Sequence, residues 1–168
     1  MDETAKLIEP LIPALRRYAF ALVRNHELAD DLVQDCLERA LSRWLMRHRD
    51  GDLRAWLFTI LRNIFINDFH LRRRRGTTVQ LDETTTPNVE PSQTASLEHH
   101  DLLAALNQLP EDQKSVLLLV GVEDFSYSDA AKILGVPLGT VMSRLSRARQ
   151  KLRILIDTGC VVPLRRVK

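Results

Sequence analysis

A stretch near the C-terminus combines cationic and hydroxyl side chains with no acid among them. Between Asp129 and Asp157 the sequence contains six lysines and arginines but neither aspartate nor glutamate. Lysine and arginine contact phosphates or guanine edges, and serine and threonine donate hydrogen bonds to either, so this composition suits the major groove of DNA. The side chains that we expect to contact DNA are Thr140, Ser143, Arg144, Ser146, Arg147 and Lys151. The alternative is a basic helix that merely faces solvent, as most runs of charge do.

A helix-turn-helix is predicted to position these side chains. Ser126 and Asp129 form a capping-box pattern at the start of a short helix, and Gly135 ends that helix because glycine adopts the left-handed conformation at little cost. Pro137 then starts a second helix. Its buried stripe, at i, i+4, i+7 and i+11, consists of Val141, Leu145, Ala148 and Leu152. Because cap, glycine turn and stripe coincide, DNA recognition is favoured over a solvated helix.

The rest of the chain is predicted to be helical as well. Its 168 residues are 45% hydrophobic and 27% charged, enough for one ordinary domain or two small ones. Hydrophobic periodicity predicts an all-α protein with two small helical domains, 1–75 and 96–168, joined by a flexible, acidic, Thr- and Pro-rich linker, 76–95. The helices expected before the helix-turn-helix span about 4–24 (disturbed by its two prolines), 27–47, 53–74, 96–108 and 110–121.

The charges are segregated along the chain. No lysine or arginine lies between Arg75 and Lys114, whereas this interval contains several acids. Such segregation predicts two surfaces that face polyanions, joined by an acidic connector. Cys36 and Cys160 are far apart and lack metal-ligand spacing, so we expect no disulfide framework, zinc site or other cofactor.

The second predicted helix has an acidic face opposite an apolar one. Its apolar stripe consists of Leu28, Leu32, Cys36, Leu37, Leu41 and Trp44. The opposite face, at i, i+3, i+4 and i+7, carries Asp31, Gln34, Asp35 and Glu38. Taken alone, this pattern indicates a solvated surface, because the helix dipole favours acids near an N-terminus. The alternative is a docking strip for a basic partner.

The third predicted helix carries a polar stripe that runs into a block of arginines. Opposite its apolar arc, at steps of four, four, three and four, stand Thr59, Asn63, Asn67, His70 and Arg74. Amides, a histidine and the arginines of 72–75 are typical of a nucleic-acid surface. His70 has no second ligand at i+3 or i+4, so we do not expect it to bind a metal.

The two halves together resemble the extracytoplasmic-function (ECF) group of bacterial RNA polymerase sigma factors, of the sigma-70 family. In the first half the resemblance rests on HELADDLVQDCLERAL (26–41) and LRAWLFTILRNIFINDFHLRRRR (53–75). In the second half it rests on LNQLPEDQKSVLLL and on the helix-turn-helix. It covers nearly the whole chain and implies sigma regions 2 and 4, without the domain that separates them in larger sigma factors.

The resemblance also implies roles for particular residues. Residues 26–41 match the segment that binds the clamp helices of the polymerase's largest subunit, which favours a docking strip over a solvated surface. The helix-turn-helix matches the reader of the −35 promoter element. The third helix and the loop before it match the part that captures an unstacked base of the −10 element. The −10 residues so implied are His48, Arg49, Asn63, Asn67, His70 and Arg74.

The resulting interpretation is an alternative sigma factor, which is not itself an enzyme. Its expected partners are bacterial core RNA polymerase, promoter DNA and an anti-sigma factor that covers it until a stress signal arrives. A sigma-like mimic that sequesters an anti-sigma factor without binding DNA is the alternative, although a mimic gains nothing from the cationic helix and the arginines of 72–75. A two-domain repressor would dimerise on palindromic sites, and no heptad stripe is evident.

No apolar run in the sequence is long enough to cross a bilayer, and the N-terminus has acids where a signal peptide needs cations. We therefore expect a cytoplasmic protein that does not insert into membranes. No Ser/His/Asp order, glycine-rich phosphate loop or metal cluster can be assembled from the sequence, so an enzyme is the least favoured class.

Overall fold

The computed structural model describes residues 2–47, 51–76 and 101–158, and every regular element in these ranges is helical. This confirms the all-α prediction. The chain divides into two compact units, Met1–Thr85 together with Lys132–Gly135, and Thr86–Ala131 together with Val136–Lys168. The predicted linker after Gly76, the start of the helix expected at 96–108 and the basic tail lie outside the described residues.

The first unit begins with two helices that are separated at a proline. Helix α1 spans Asp2–Ile8 and α2 spans Ile12–Val23, and a short 3₁₀ turn connects them. Pro10 lies in that turn because it has no amide hydrogen to donate within a helix. The inward stripe of α2 is buried as its periodicity predicts and consists of Leu15, Tyr18, Ala19 and Leu22.

Two longer helices complete the first unit, and both begin at a side-chain cap. Helix α3 spans His26–Ser42, and the N–H of its Leu28 donates to the side-chain oxygen of Asn25 at 3.0 Å. Helix α4 spans Leu53–Arg75, and Asp52 accepts from a backbone N–H in its first turn at 2.9 Å. These local caps explain why both helices start within a residue of their predicted positions.

The end of α3 differs from the prediction. A 3₁₀ turn, Trp44–Met46, follows Ser42, whereas the apolar pattern predicted a helix to about residue 47. Leu41, predicted to be buried, is 50% exposed, and Trp44 is only half-buried. Leu41 lies in the last turn of α3 and Trp44 lies beyond the helix, so the buried part of the apolar stripe ends near Cys36 and Leu37.

Cys36 lies in the centre of this core. Its side chain is completely buried, and its thiol donates to the carbonyl oxygen of Leu57 at 3.4 Å. Burial raises the pKa of this thiol from 9.0 to about 12, against smaller opposing effects of the backbone of Leu61 and the charge of Arg39. The free thiol is therefore protonated, and packs as a small apolar group, at neutral pH.

The raised pKa predicts a loss of stability in alkaline solution. The folded chain retains the Cys36 proton where the unfolded chain has lost it, so this contribution is complete below pH 9.0 and disappears as the pH rises through about 12. Within that window the free energy of unfolding should fall by up to about 1.4 kcal/mol per pH unit. Denaturant titrations at a series of pH values give the free energy of unfolding of Cys160→Ser, with and without Cys36→Ala. Within that window the free energy should fall more steeply with pH in the variant that keeps Cys36. An equal dependence on pH in the two variants would contradict the assignment.

Four α-helices lie within the described residues 101–158, most of which belong to the second unit. Helix α5 is described over residues 101–107, and the others are α6 at Glu111–Leu117, α7 at Tyr127–Leu134 and α8 at Leu138–Asp157. Helix α6 packs mainly against α8. Val116 of α6 and Leu145 of α8 are almost completely buried. No helix in the described ranges has the length and apolar content to span a bilayer.

Helix α6 does not continue as an α-helix to residue 121. A π-helical turn, Leu118–Val122, follows it, and the N–H of Glu123 donates to the carbonyl oxygen of Leu118 at 3.0 Å. Asp124 then adopts the left-handed conformation with φ of 55°. The tertiary fold thus inserts a wider turn ahead of the helix-turn-helix.

Candidate nucleic-acid and protein interfaces

The predicted helix-turn-helix forms from α7 and α8. The N–H of Asp129 donates to the side-chain oxygen of Ser126 at 3.0 Å, which confirms the predicted cap of α7. Gly135 has a φ of 65°, and the N–H of Val136 donates to the carbonyl oxygen of Ala131 at 3.1 Å. This is the glycine-terminated helix end that the sequence predicts. Pro137 stands one residue before α8 and not within it.

The two glycines near this turn should respond oppositely to alanine. Gly135→Ala should destabilise the folded protein by roughly 1 kcal/mol, because a side chain there disfavours the left-handed conformation. Gly139 lies in the first turn of α8 at a helical φ, so Gly139→Ala should be neutral or stabilising by up to about 1 kcal/mol. An added Cβ meets nothing within 4 Å at either site, so packing does not confound the comparison. Urea unfolding of both variants measures the difference in stability. If both substitutions destabilised the protein, the prediction of opposite effects would be wrong.

Helix α8 buries one side and presents the other to solvent. Val141, Leu145 and Ala148 are buried and Leu152 is half-buried, as the predicted stripe requires. The residues predicted to bind DNA lie on the remaining circumference. Those that are exposed are Ser143, Ser146, Arg147 and Lys151, and those that are half-buried are Thr140 and Arg144. The geometry therefore gathers these side chains on one helix, away from the core.

Two of these side chains already interact within the protein. The hydroxyl of Ser143 donates to the carbonyl oxygen of Thr140 at 3.1 Å, which leaves its lone pairs free to accept. Arg144 forms an ion pair with Asp112 in the first turn of α6, with Nε and Oδ2 3.5 Å apart. The sequence does not reveal that Asp112 is a partner of Arg144, because the two residues are distant in the chain.

The acidic strip on α3 is solvent-exposed. Asp31, Gln34, Asp35 and Glu38 are all exposed. The Gln34 side-chain amide donates to Glu38 at 3.1 Å, so these two side chains are aligned along the strip. The neighbouring Asp30 forms an ion pair with Arg16 of α2 at 3.2 Å. The strip is thus available to a partner, and its role in docking stays a prediction.

The polar stripe of α4 is exposed over most of its length. Asn63, Asn67, His70 and Arg74 all face solvent. Thr59 is half-buried, and its hydroxyl donates to the carbonyl oxygen of Ala55 at 2.8 Å. His48 and Arg49, the other residues assigned to the −10 element, lie outside the described residues. The DNA-binding role of this stripe stays a prediction.

Exposed apolar side chains that the sequence analysis did not single out occur in both units. In the first unit, Leu45 is 95% and Met46 82% exposed in the turn after α3. In the second, a groove of about 660 Å³ runs along α8 beside Tyr127. We call it the α8 groove, and its remaining lining residues are Met142, Leu145, Ser146, Arg149, Gln150, Arg153 and Ile154. The sequence does contain a sign of these exposed side chains, because most of them are apolar residues that lie outside the predicted buried stripes.

No group of three or more His, Cys, Asp or Glu side chains that could hold a metal ion occurs in the described part of the chain. The candidate interfaces of the described residues are therefore charged and polar surfaces, on α3 and α4 in the first unit and, separately, on α8 in the second.

Comparison with known proteins identifies the family. One family model, described as Sigma-70, region 4, matches residues 99–152, and another, described as the Sigma2 domain of PhyR, matches residues 8–62. The chain is 46% identical over 145 residues to the ECF RNA polymerase sigma factor EcfG of Rhodopseudomonas palustris, covering 86% of this chain and 80% of that protein. The chain belongs to the ECF sigma factors. Sigma factors are a family of non-catalytic transcription regulators, and this sigma factor acts in transcription initiation.

Two solved structures have the same fold as this one. The sigma factor RpoE of Bartonella quintana, in complex with the anti-sigma factor NepR, is similar with a TM-score of 0.80 and 37% identity, over 94% of this chain and 98% of that chain. CnrH, in complex with the cytosolic domain of CnrY, is similar with a TM-score of 0.70 and 26% identity, over 92% and 87% of the two chains.

Proposed function

We propose that this sigma factor directs core RNA polymerase to promoters with both a −35 and a −10 element. Residues 1–75 serve as region 2 and residues 96–168 as region 4, in agreement with family models that match 8–62 and 99–152. The observation that carries the proposal is the pair of exposed faces of opposite charge, acidic on α3 and cationic on α8. One suits a basic protein surface and the other suits DNA.

The acidic strip of α3 docks on the polymerase. Its four side chains are exposed, and Leu32 and Cys36 on the opposite face are buried, so a partner can approach without unfolding the helix. Complementary charge accelerates encounter and excludes wrong partners. The strip is therefore the part of region 2 through which the chain joins the enzyme.

Helix α8 reads the −35 element. Arginine and lysine on its exposed side bind phosphates, and serine and threonine bind phosphates or base edges. The −10 element is melted and captured by α4 and the loop that precedes it, using His48, Arg49, Asn63, Asn67, His70 and Arg74. Unpairing a base costs a few kcal/mol, which base capture offsets without ATP.

An anti-sigma factor holds the protein inactive. Two relatives of known structure are complexes with an anti-sigma factor or with the cytosolic domain of CnrY. Leu45, Met46 and the α8 groove expose apolar surface that an amphipathic partner would cover. Purified NepR of Bartonella quintana should inhibit transcription, and Leu45→Ser with Met46→Ser should reduce that inhibition. Full inhibition of the variant would remove this surface from the interface.

The protein itself carries out no catalysis and works in the cytoplasm with the polymerase. The deciding experiment is transcription in vitro with core RNA polymerase, this protein and a pool of genomic promoter fragments. Specific, salt-sensitive initiation is expected and would reveal the promoter elements. Tight binding to an anti-sigma factor with no initiation would instead support the sigma-like mimic.

A further inference from the structure

The ion pair between Asp112 and Arg144 links the start of α6 to the DNA-facing side of α8. The Arg144 side chain is 24% exposed and the Asp112 side chain 49%, so the pair is partly shielded from solvent. Glu111, the neighbouring acid, accepts a hydrogen bond from the hydroxyl of Ser115 at 2.9 Å. Asp112 thus restrains a cation on the proposed recognition helix.

The position of Arg144 on α8 determines what it can reach. Successive residues of an α-helix are about 100° apart, so Ser143 stands almost opposite the buried stripe while Arg144 flanks it beside Val141 and Ala148. When a recognition helix lies in the major groove, its outermost side chains meet base edges and those on its flanks meet the groove walls, where phosphates lie. Arg144 is therefore placed for a phosphate.

The ion pair leaves Arg144 able to bind that phosphate. A guanidinium has five N–H donors, and the contact with Asp112 engages Nε. The four terminal N–H donors suit a phosphate in planar geometry. A side chain whose rotamer is already restrained loses less conformational entropy when it binds.

We propose that Asp112 is a positioning residue that orients the Arg144 guanidinium toward a phosphate of the −35 DNA. The inference rests on the proposed function of α8 and adds to it a specific acid that promotes DNA binding. The direction in which Asp112→Asn changes the affinity for DNA distinguishes positioning from charge repulsion. An acid near DNA repels phosphates, so by charge alone Asp112→Asn should tighten binding, whereas loss of positioning should weaken it.

The test is a double-mutant cycle in the holoenzyme, made from core polymerase and the full chain, on a promoter fragment recovered by the transcription experiment. Asp112→Asn should raise the dissociation constant about threefold to tenfold, and Asp112→Glu should largely restore it. Arg144→Ala should weaken binding and lower the salt slope by about 0.9. In the Arg144→Ala background, Asp112→Asn should have no further effect, because Asp112 acts through Arg144.

Asp124→Asn is the matched control, since it removes the same charge from an exposed position of the same unit. It should leave binding unchanged or slightly tighter. Unchanged or tighter DNA binding by Asp112→Asn would overturn the proposal. It would also be overturned if Asp112→Asn still weakened binding in the Arg144→Ala background, because Asp112 would then have a merely structural role. If Arg147→Ala still weakens binding in the same assay, α8 contacts DNA and only the role of Asp112 fails.

Discussion

Asp31→Lys combined with Asp35→Lys should reduce the affinity of this sigma factor for core RNA polymerase by on the order of a hundredfold, because like charges in an interface cost several kcal/mol. Both side chains are exposed on α3, and neither belongs to the core. The helix should therefore remain folded while its charge opposes the basic partner. Titration of labelled core polymerase measures the affinity, and far-ultraviolet circular dichroism checks the fold.

The matched control for this prediction is Glu3→Lys with Glu9→Lys. It makes the same change in net charge in the same unit, on exposed residues outside the strip. We expect this control to bind polymerase nearly as well as the natural sequence at physiological salt, where distant surface charges are screened. Normal binding by the α3 variant, or equal loss by both variants, would rule out a specific docking strip.

Arg147→Ala combined with Lys151→Ala should weaken promoter binding by holoenzyme and flatten its dependence on salt. Each phosphate contact contributes about 0.9 to the slope of log K against log salt, so the slope should fall by about 1.8. At 0.1 M salt this corresponds to roughly an eightfold loss of promoter affinity for each phosphate contact removed. Both side chains are exposed on α8, so their removal should leave the core intact.

Binding of a fluorescent promoter fragment across a salt series measures this slope. Lys6→Ala with Arg43→Ala is the control, because it removes two exposed cations from the first unit outside the proposed DNA surfaces. We expect a nearly unchanged slope from the control. If the α8 variant keeps the original slope, Arg147 and Lys151 do not contact phosphates.

Local features of the fold could be predicted from the sequence. The cap at Ser126, the glycine turn at Gly135 and the start of α4 after Asp52 agree with the structure. Each depends on residues within one helical turn of one another, where side-chain capping and backbone preference decide the conformation. The buried stripe of α8 follows equally from periodicity, because burial of an amphipathic helix requires its apolar residues on one side.

Features that depend on distant residues could not be predicted. Leu41 continues the apolar pattern of α3, yet it is exposed in the last turn of the helix, which ends at Ser42 before the apolar Trp44. The π-helical turn at Leu118–Val122 has no counterpart in the periodicity of its segment. In both places packing of whole helices determines the backbone, and this overrides the local pattern.

By itself, the sequence determined the helical class, the helix-turn-helix and the family, since these depend on short-range patterns and on their order along the chain. Only the tertiary structure decided which charged groups meet. Arg144 has the same local signature as the other cations of α8, but α6 brings Asp112 to within 3.5 Å of it. Long-range contacts of this kind arise from the packing of helices, which periodicity within one helix does not specify.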